Sequence, residues 1–220
     1  MAIPTIFRGE TESIIASYDA VDVTTGIGWK VFYAAKTMSG ANYVLTTNVF
    51  YSDSVTTQHA TPNTSSAWAD AGFSTDFDIV FGKPHRVKGD AIINIPFTIG
   101  VGADAHRAQP HVAISKIVDG TPEFLVSGAG RATDGGDPAT VPDARFITAA
   151  LDLTVPETRF NPDDILRVNV SFKCLTANAD KPISLGHDPQ NRAGAQTATY
   201  SWGATDPTRM EVHVPFKVEL

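Results

Sequence analysis

The groups able to do chemistry are thinly spread along this chain. Six histidines stand at His59, His85, His106, His111, His187 and His213, among 18 aspartates. Imidazoles and carboxylates ligate zinc and other transition metals, but a pair on one element must be closely spaced. No two of these histidines have that spacing, so they read as structural or solvent-facing groups and no metal is expected. His187-Asp188-Pro189 is the one place where a histidine adjoins an aspartate. Ser184 or Ser201 would complete the residue types of a nucleophile, base and acid triad. There is no Gly-x-Ser-x-Gly elbow to present such a serine, and a His-Asp pair before proline reads as a turn whose carboxylate bonds the backbone. No catalytic residue is assigned.

Asp134-Gly135-Gly136-Asp137 places two carboxylates in a glycine-rich loop, the oxygen chemistry that calcium takes. It lacks the alternating acids of an EF-hand and reads as a turn, with calcium left open. Gly26-x-Gly28 and Gly128-x-Gly130 lack the further glycine or the Gly-Lys-Ser/Thr ending of a phosphate cradle, so no nucleotide cofactor is expected. Trp68 and Trp202 sit in loop-like polar surroundings and could stack on a sugar ring, although core filling is the commoner role of a tryptophan.

The elements that must position these residues are strands. Thr, Val and Ile total 58 residues against 8 Leu, 8 Lys and 6 Glu, and β-branched side chains suit a pleated surface. Met210, Val212, Val214, Phe216, Val218 and Leu220 alternate with Glu211, His213, Pro215, Lys217 and Glu219, which buries one face and wets the other. Pro215 predicts an edge or a bulge there. Ala91, Ile93, Ile95, Phe97, Ile99 and Val101 repeat the pattern, as do Leu166, Val168, Val170 and Phe172 after the turn Asn161-Pro162-Asp163-Asp164. With weaker signals over 29–36, 42–51, 74–81, 111–118, 122–128, 145–155 and 182–187, about ten strands are predicted.

The expected fold is all-β, an antiparallel two-sheet β-sandwich of jelly-roll type. Loops fall near 58–72, 130–143 and 188–207. Residues 1–12 read as an extended N-terminal arm outside a single domain over 13–220, and 11–23 could hold a short helix.

Charge and cysteine content narrow the partners. The net charge is −7, from 17 basic and 24 acidic residues, which argues against a nucleic-acid or anionic-membrane surface. The single cysteine, Cys174, excludes an internal disulfide and a four-cysteine zinc site. No apolar run approaches the roughly 18 residues that span a bilayer. Met1-Ala2-Ile3-Pro4-Thr5-Ile6-Phe7-Arg8 has no basic start or apolar core of a secretion signal, so assembly in a cytoplasm is expected.

Two stretches carry a family resemblance. Phe160-Asn161-Pro162-Asp163-Asp164-Ile165-Leu166-Arg167-Val168, followed by Ile183-Ser184-Leu185-Gly186-His187-Asp188-Pro189-Gln190-Asn191-Arg192, resembles the C-terminal half of small virion proteins of bacteriophages and related viruses. Gly28-Trp29-Lys30-Val31-Phe32-Tyr33, continuing through Tyr43 to Asp53, resembles their N-terminal half. The resemblance implies a non-enzymatic virion structural protein: a capsid decoration (cement) or minor capsid subunit, assembled with copies of itself and with other capsid proteins. A trimer is expected from the general rule that identical subunits close on themselves. Ile3, Ile6 and Phe7 of the arm would be the contacts, since apolar residues outside an alternating strand have no core to enter. The alternative is a carbohydrate- or receptor-binding module on the virion surface, using Trp68 and Trp202.

Overall fold

The computed structural model of the chain describes residues 27–37, 42–59, 64–100, 106–134, 144–176, 183–192 and 207–217. These residues form strands and no helix: β1 (Ile27–Lys36), β2 (Tyr43–Thr46), β3 (Thr56–His59), β4 (Thr64–Val80), β5 (His85–Gly100), β6 (His106–Val118), β7 (Thr121–Ala129), β8 (Thr133–Asp134), β9 (Ala144–Phe160), β10 (Ile165–Thr176), β11 (Ile183–Gly186) and β12 (Glu211–Lys217). The all-β expectation holds. The alternating faces land as read: Met210, Val212 and Val214, Ala91 to Ile99 at every second position, and Leu166 to Phe172 likewise are all buried.

The arrangement of those strands differs from the expected pair of sheets. All twelve belong to one sheet, ordered β3-β11-β5-β12-β1-β2-β4-β10-β6-β7, with β8 on β6 and β9 on β5. The sheet is mixed, because β2 joins β4 in parallel through Tyr43↔Phe77 and Val44↔Asp78. Alternation fixes which face of a strand is buried, whereas its neighbours depend on contacts far apart in sequence, which is why the sheet count was not legible.

Both halves of the sheet bury their apolar faces in a common core that includes Phe32, Phe77, Phe97, Phe160 and Phe172, all under 2% exposed. The sheet curls so that β7 lies against β9 without pairing with it. Glycine permits that approach: a Cβ on Gly128 would strike Leu153, and one on Gly130 would lie 2.8 Å from Pro110 Cγ and 3.1 Å from Leu151 Cδ1.

The prolines follow the ladder rules. Pro215 lies opposite Trp29 of β1, and on the β5 side the register of β12 shifts between His213 and Phe216, the bulge that a missing amide hydrogen invites. Pro96 falls in the gap between the stretches of β5 that pair with β12, ending at Asn94, and with β11, beginning at Phe97. The predicted turn at 161–164 is a β-turn: the Asp164 amide donates to Asn161 O at 3.2 Å, the Asn161 amide donates back to Asp164 Oδ2 at 2.7 Å, and Asp163 takes a positive φ of 70°. One loop assignment fails: the stretch 58–72 is mostly β4, placing Trp68 on a strand. The strand read over 145–155 runs on as β9 to Phe160. The arm over 1–12, with Ile3, Ile6 and Phe7, lies outside the described residues, as do Trp202, Ser201 and the 135–137 part of the acidic loop.

Candidate functional site

Among the described residues, a dense polar constellation lies in the turn that follows β11. Gly186 ends the strand, and His187, Asp188 and Pro189 remain buried where a turn would ordinarily meet water. Backbone bonds pin it to two other segments. The His187 amide donates to Val55 O at 2.9 Å, and the Asp188 amide donates to Thr208 O at 3.0 Å. Asn191 takes a positive φ of 55°, a conformation asparagine tolerates. Its Oδ1 accepts from the amides of Thr208 at 2.8 Å and Arg209 at 3.1 Å.

Asp188 is 0% exposed, and its carboxylate is saturated. It accepts from the Arg192 amide at 2.6 Å and Arg192 Nε at 3.0 Å on Oδ2, and from Arg192 Nη2 at 3.1 Å on Oδ1. The same guanidinium donates to Ser52 O at 2.8 Å and stacks 4.0 Å from the Tyr51 ring. Hydrogen bonding to Asp188 raises the Arg192 pKa above its usual value. Each buried charge in the turn is thereby paired and bonded, the condition under which burial is tolerated.

The His187 imidazole faces the other way. Its Nε2 lies 2.8 Å from Thr57 Oγ1, and that hydroxyl lies 2.8 Å from the Tyr43 hydroxyl. A hydroxyl can donate to one neighbour while accepting from another, so the three groups form a chain. Nδ1 is buried with no hydrogen-bond partner. Burial, with a smaller contribution from Lys36, pushes the imidazole from 6.5 down to about 4. The ring is therefore neutral at physiological pH, packed edge-on to Tyr43 with ring centroids 5.3 Å apart.

Chemically, the Thr57–His187 contact has the spacing of a nucleophile and its base. It lacks the rest of a triad, because Asp188 is committed to Arg192 and no carboxylate meets Nδ1 among the described residues. The structure joins His187 to Thr57 and shows no hydrogen bond between His187 and Ser184, which is buried in β11. Sequence reading found the turn and missed Thr57 and Tyr43, which lie 130 and 144 positions from His187 and carry no local signal.

The other histidines are dispersed. Burial lowers the pKa of His85 and of His111, the latter with a buried, unpartnered Nε2. His213 lies 3.4 Å from Glu211 Oε2 on the half-wet face of β12. Among the described residues no three His, Cys, Asp or Glu side chains gather as metal ligands. Trp68 is 41% exposed on β4, so this candidate aromatic does face solvent.

No protein-family model matches the chain, and no curated protein matches it. Solved structures do share its fold. A CocE/NonD family hydrolase from Staphylococcus aureus, in two crystal structures, aligns at TM-scores of 0.50 and 0.51 with 10% identity, over 86% and 87% of this chain and 37% of that one. An α-amino acid ester hydrolase aligns at 0.50 with 10% identity, over 85% of this chain and 36% of its own. The chain thus spans little more than a third of the length of these hydrolases. The expectation of a non-enzymatic capsid decoration or minor capsid subunit, and with it the receptor-binding alternative on a virion, is corrected by this finding: these structural neighbours are hydrolases.

Proposed function

We propose that the chain is a β-structured component of a hydrolase that cleaves ester or amide bonds. One observation carries this reading: 85–87% of the chain aligns within hydrolases, of which it covers 36–37%. The curled sheet is read as two layers of a jelly roll linked through β2, a slab that can wall a substrate cleft or dock on a catalytic body. Site chemistry agrees with that division of labour. Hydrolysis of an acyl bond needs a nucleophile, a base near neutral pKa and an orienting group. The Thr57–His187 pair supplies the spacing, but an imidazole held near 4 is a weak base at pH 7. The remaining machinery comes from outside the described strands.

The test is turnover of aryl esters and of an α-amino acid ester. Tagged full-length chain is recovered from its source cells, and the recovered assembly is assayed beside the chain purified alone. Hydrolysis above that of an untagged control recovery supports the proposal. Absence of hydrolysis from both the purified chain and every assembly containing it refutes the proposal.

A further inference from the structure

Two irregularities interrupt β4 where it pairs with β10. The register shifts once between Ser171 and Lys173 and again between Cys174 and Thr176, whereas the pairing of β10 with β6 on its other side runs unbroken. Ala69 and Asp70 lie between the two shifts, and Trp68 enters the second. Bulges of this kind re-aim side chains and are over-represented beside functional sites.

The side chains presented there are unengaged. Asp70 stands directly opposite Lys173, and both are exposed. Opposite charges so placed ordinarily pair, yet among the described residues neither side chain makes a hydrogen bond or an ion pair. Farther along the same two strands the charges are used: Arg167 forks onto Asp78 at 2.7 Å and reaches Asp76 at 2.9 Å. Trp68, two positions from Asp70 and 41% exposed, makes no ring contact among the described residues. On β6, His111 faces Ser171, two residues from Lys173, and its Nε2 is buried without a partner. Burial lowers the His111 pKa, Lys173 lowers it further and Asp70 raises it, so both free charges converge on one imidazole.

We infer that this face of β4 and β10 binds the zwitterion of an α-amino acid, its ammonium on Asp70, its carboxylate on Lys173 and its side chain against the Trp68 indole. An α-amino acid carries its two charges on neighbouring atoms, so it bridges an acid and a base that face each other without touching. Both contacts are charge-assisted hydrogen bonds, and the indole offers an apolar face that also attracts a cation. This inference is independent of the hydrolase reading.

The experiment is calorimetric titration of the full-length chain with phenylalanine and, separately, with phenethylamine, which lacks the carboxylate, and hydrocinnamate, which lacks the ammonium, all at matched ionic strength. Saturable one-to-one binding of phenylalanine, at least tenfold tighter than either analogue, supports the site. Asp70→Asn should then bind phenylalanine no better than hydrocinnamate, and Lys173→Gln no better than phenethylamine. Saturation of the unmodified chain should also move the His111 ring resonances. Both variants should melt with the unmodified chain, because neither side chain holds a bond there. No saturable binding of phenylalanine, or binding unchanged in both variants, overturns the inference; so does a drop in melting temperature in both variants without binding, which would make Asp70 and Lys173 a structural ion pair.

Discussion

The buried imidazole of His187 should make the fold acid-sensitive in a defined window. Its pKa falls from 6.5 to about 4, first because burial disfavours the cation. As pH drops below about 6.5 the unfolded chain takes up a proton on this ring while the folded chain does not, so the unfolded state binds more protons and stability falls with pH. The contribution is fully present above 6.5 and is lost as pH falls through about 4. At about 1.4 kcal/mol per pH unit the gap amounts to about 3 kcal/mol. His187 is 0% exposed, so solvent screening does not reduce it. Typical domains are stable by roughly 5–15 kcal/mol, which makes this a large share.

Urea unfolding followed by tryptophan fluorescence between pH 7 and pH 4 measures it, on the unmodified chain and on His187→Gln. The difference between the curves isolates this ring. Other groups that titrate in acid are common to both proteins: His85 and His111, lowered by burial; Glu157, lowered chiefly by its Lys88 hydrogen bond; and Asp164, lowered chiefly by the Asn161 amide. The unmodified chain should lose about 3 kcal/mol more than the variant. Parallel curves, or a His187 resonance titrating near 6.5 by NMR, would refute the reasoning.

Three further predictions concern the same turn and the closure of the sheet. Asp188→Asn leaves the Arg192 guanidinium without its counter-charge and should destabilise by about 3 kcal/mol, the low end for breaking a buried pair because Arg192 is 27% exposed; chemical denaturation reads this, and a loss below about 1 kcal/mol contradicts it. Thr57→Val removes the hydroxyl shared by His187 and Tyr43, and a loss of about 1–3 kcal/mol is expected in the same assay. Gly128→Ala drives a methyl into Leu153 and should lower stability by about 1–3 kcal/mol, whereas Gly82→Ala, with nothing within 4 Å, serves as the neutral control.

The class of fold was legible because its signal is local. Alternation over 91–99, 166–172 and 210–214 states which side chains are buried, and the Pro215 bulge and the turn at Asn161 follow from single residues. What was not legible depends on contacts between distant segments. The β4 strand begins in a stretch rich in Thr, Ser, Asn and Pro, whose turn chemistry masks the extended backbone that its pairing with β10 imposes over Thr176↔Thr64 and Cys174↔Ala69. The single mixed sheet rests on a two-residue parallel contact between β2 and β4. His187-Asp188 was visible as a pair, and its carboxylate does bond the local backbone as a turn would. The pairing of His187 with Thr57 and the facing of Asp70 with Lys173 arise only once the ladders are set.

The claim that this chain serves acyl-bond hydrolysis is tested most directly by removing it. The rate of α-amino acid ester hydrolysis is measured in an extract of the source cells before and after the chain is depleted, and again after purified chain is returned. The rate should fall on depletion and recover on addition; a rate untouched by depletion contradicts the proposed function.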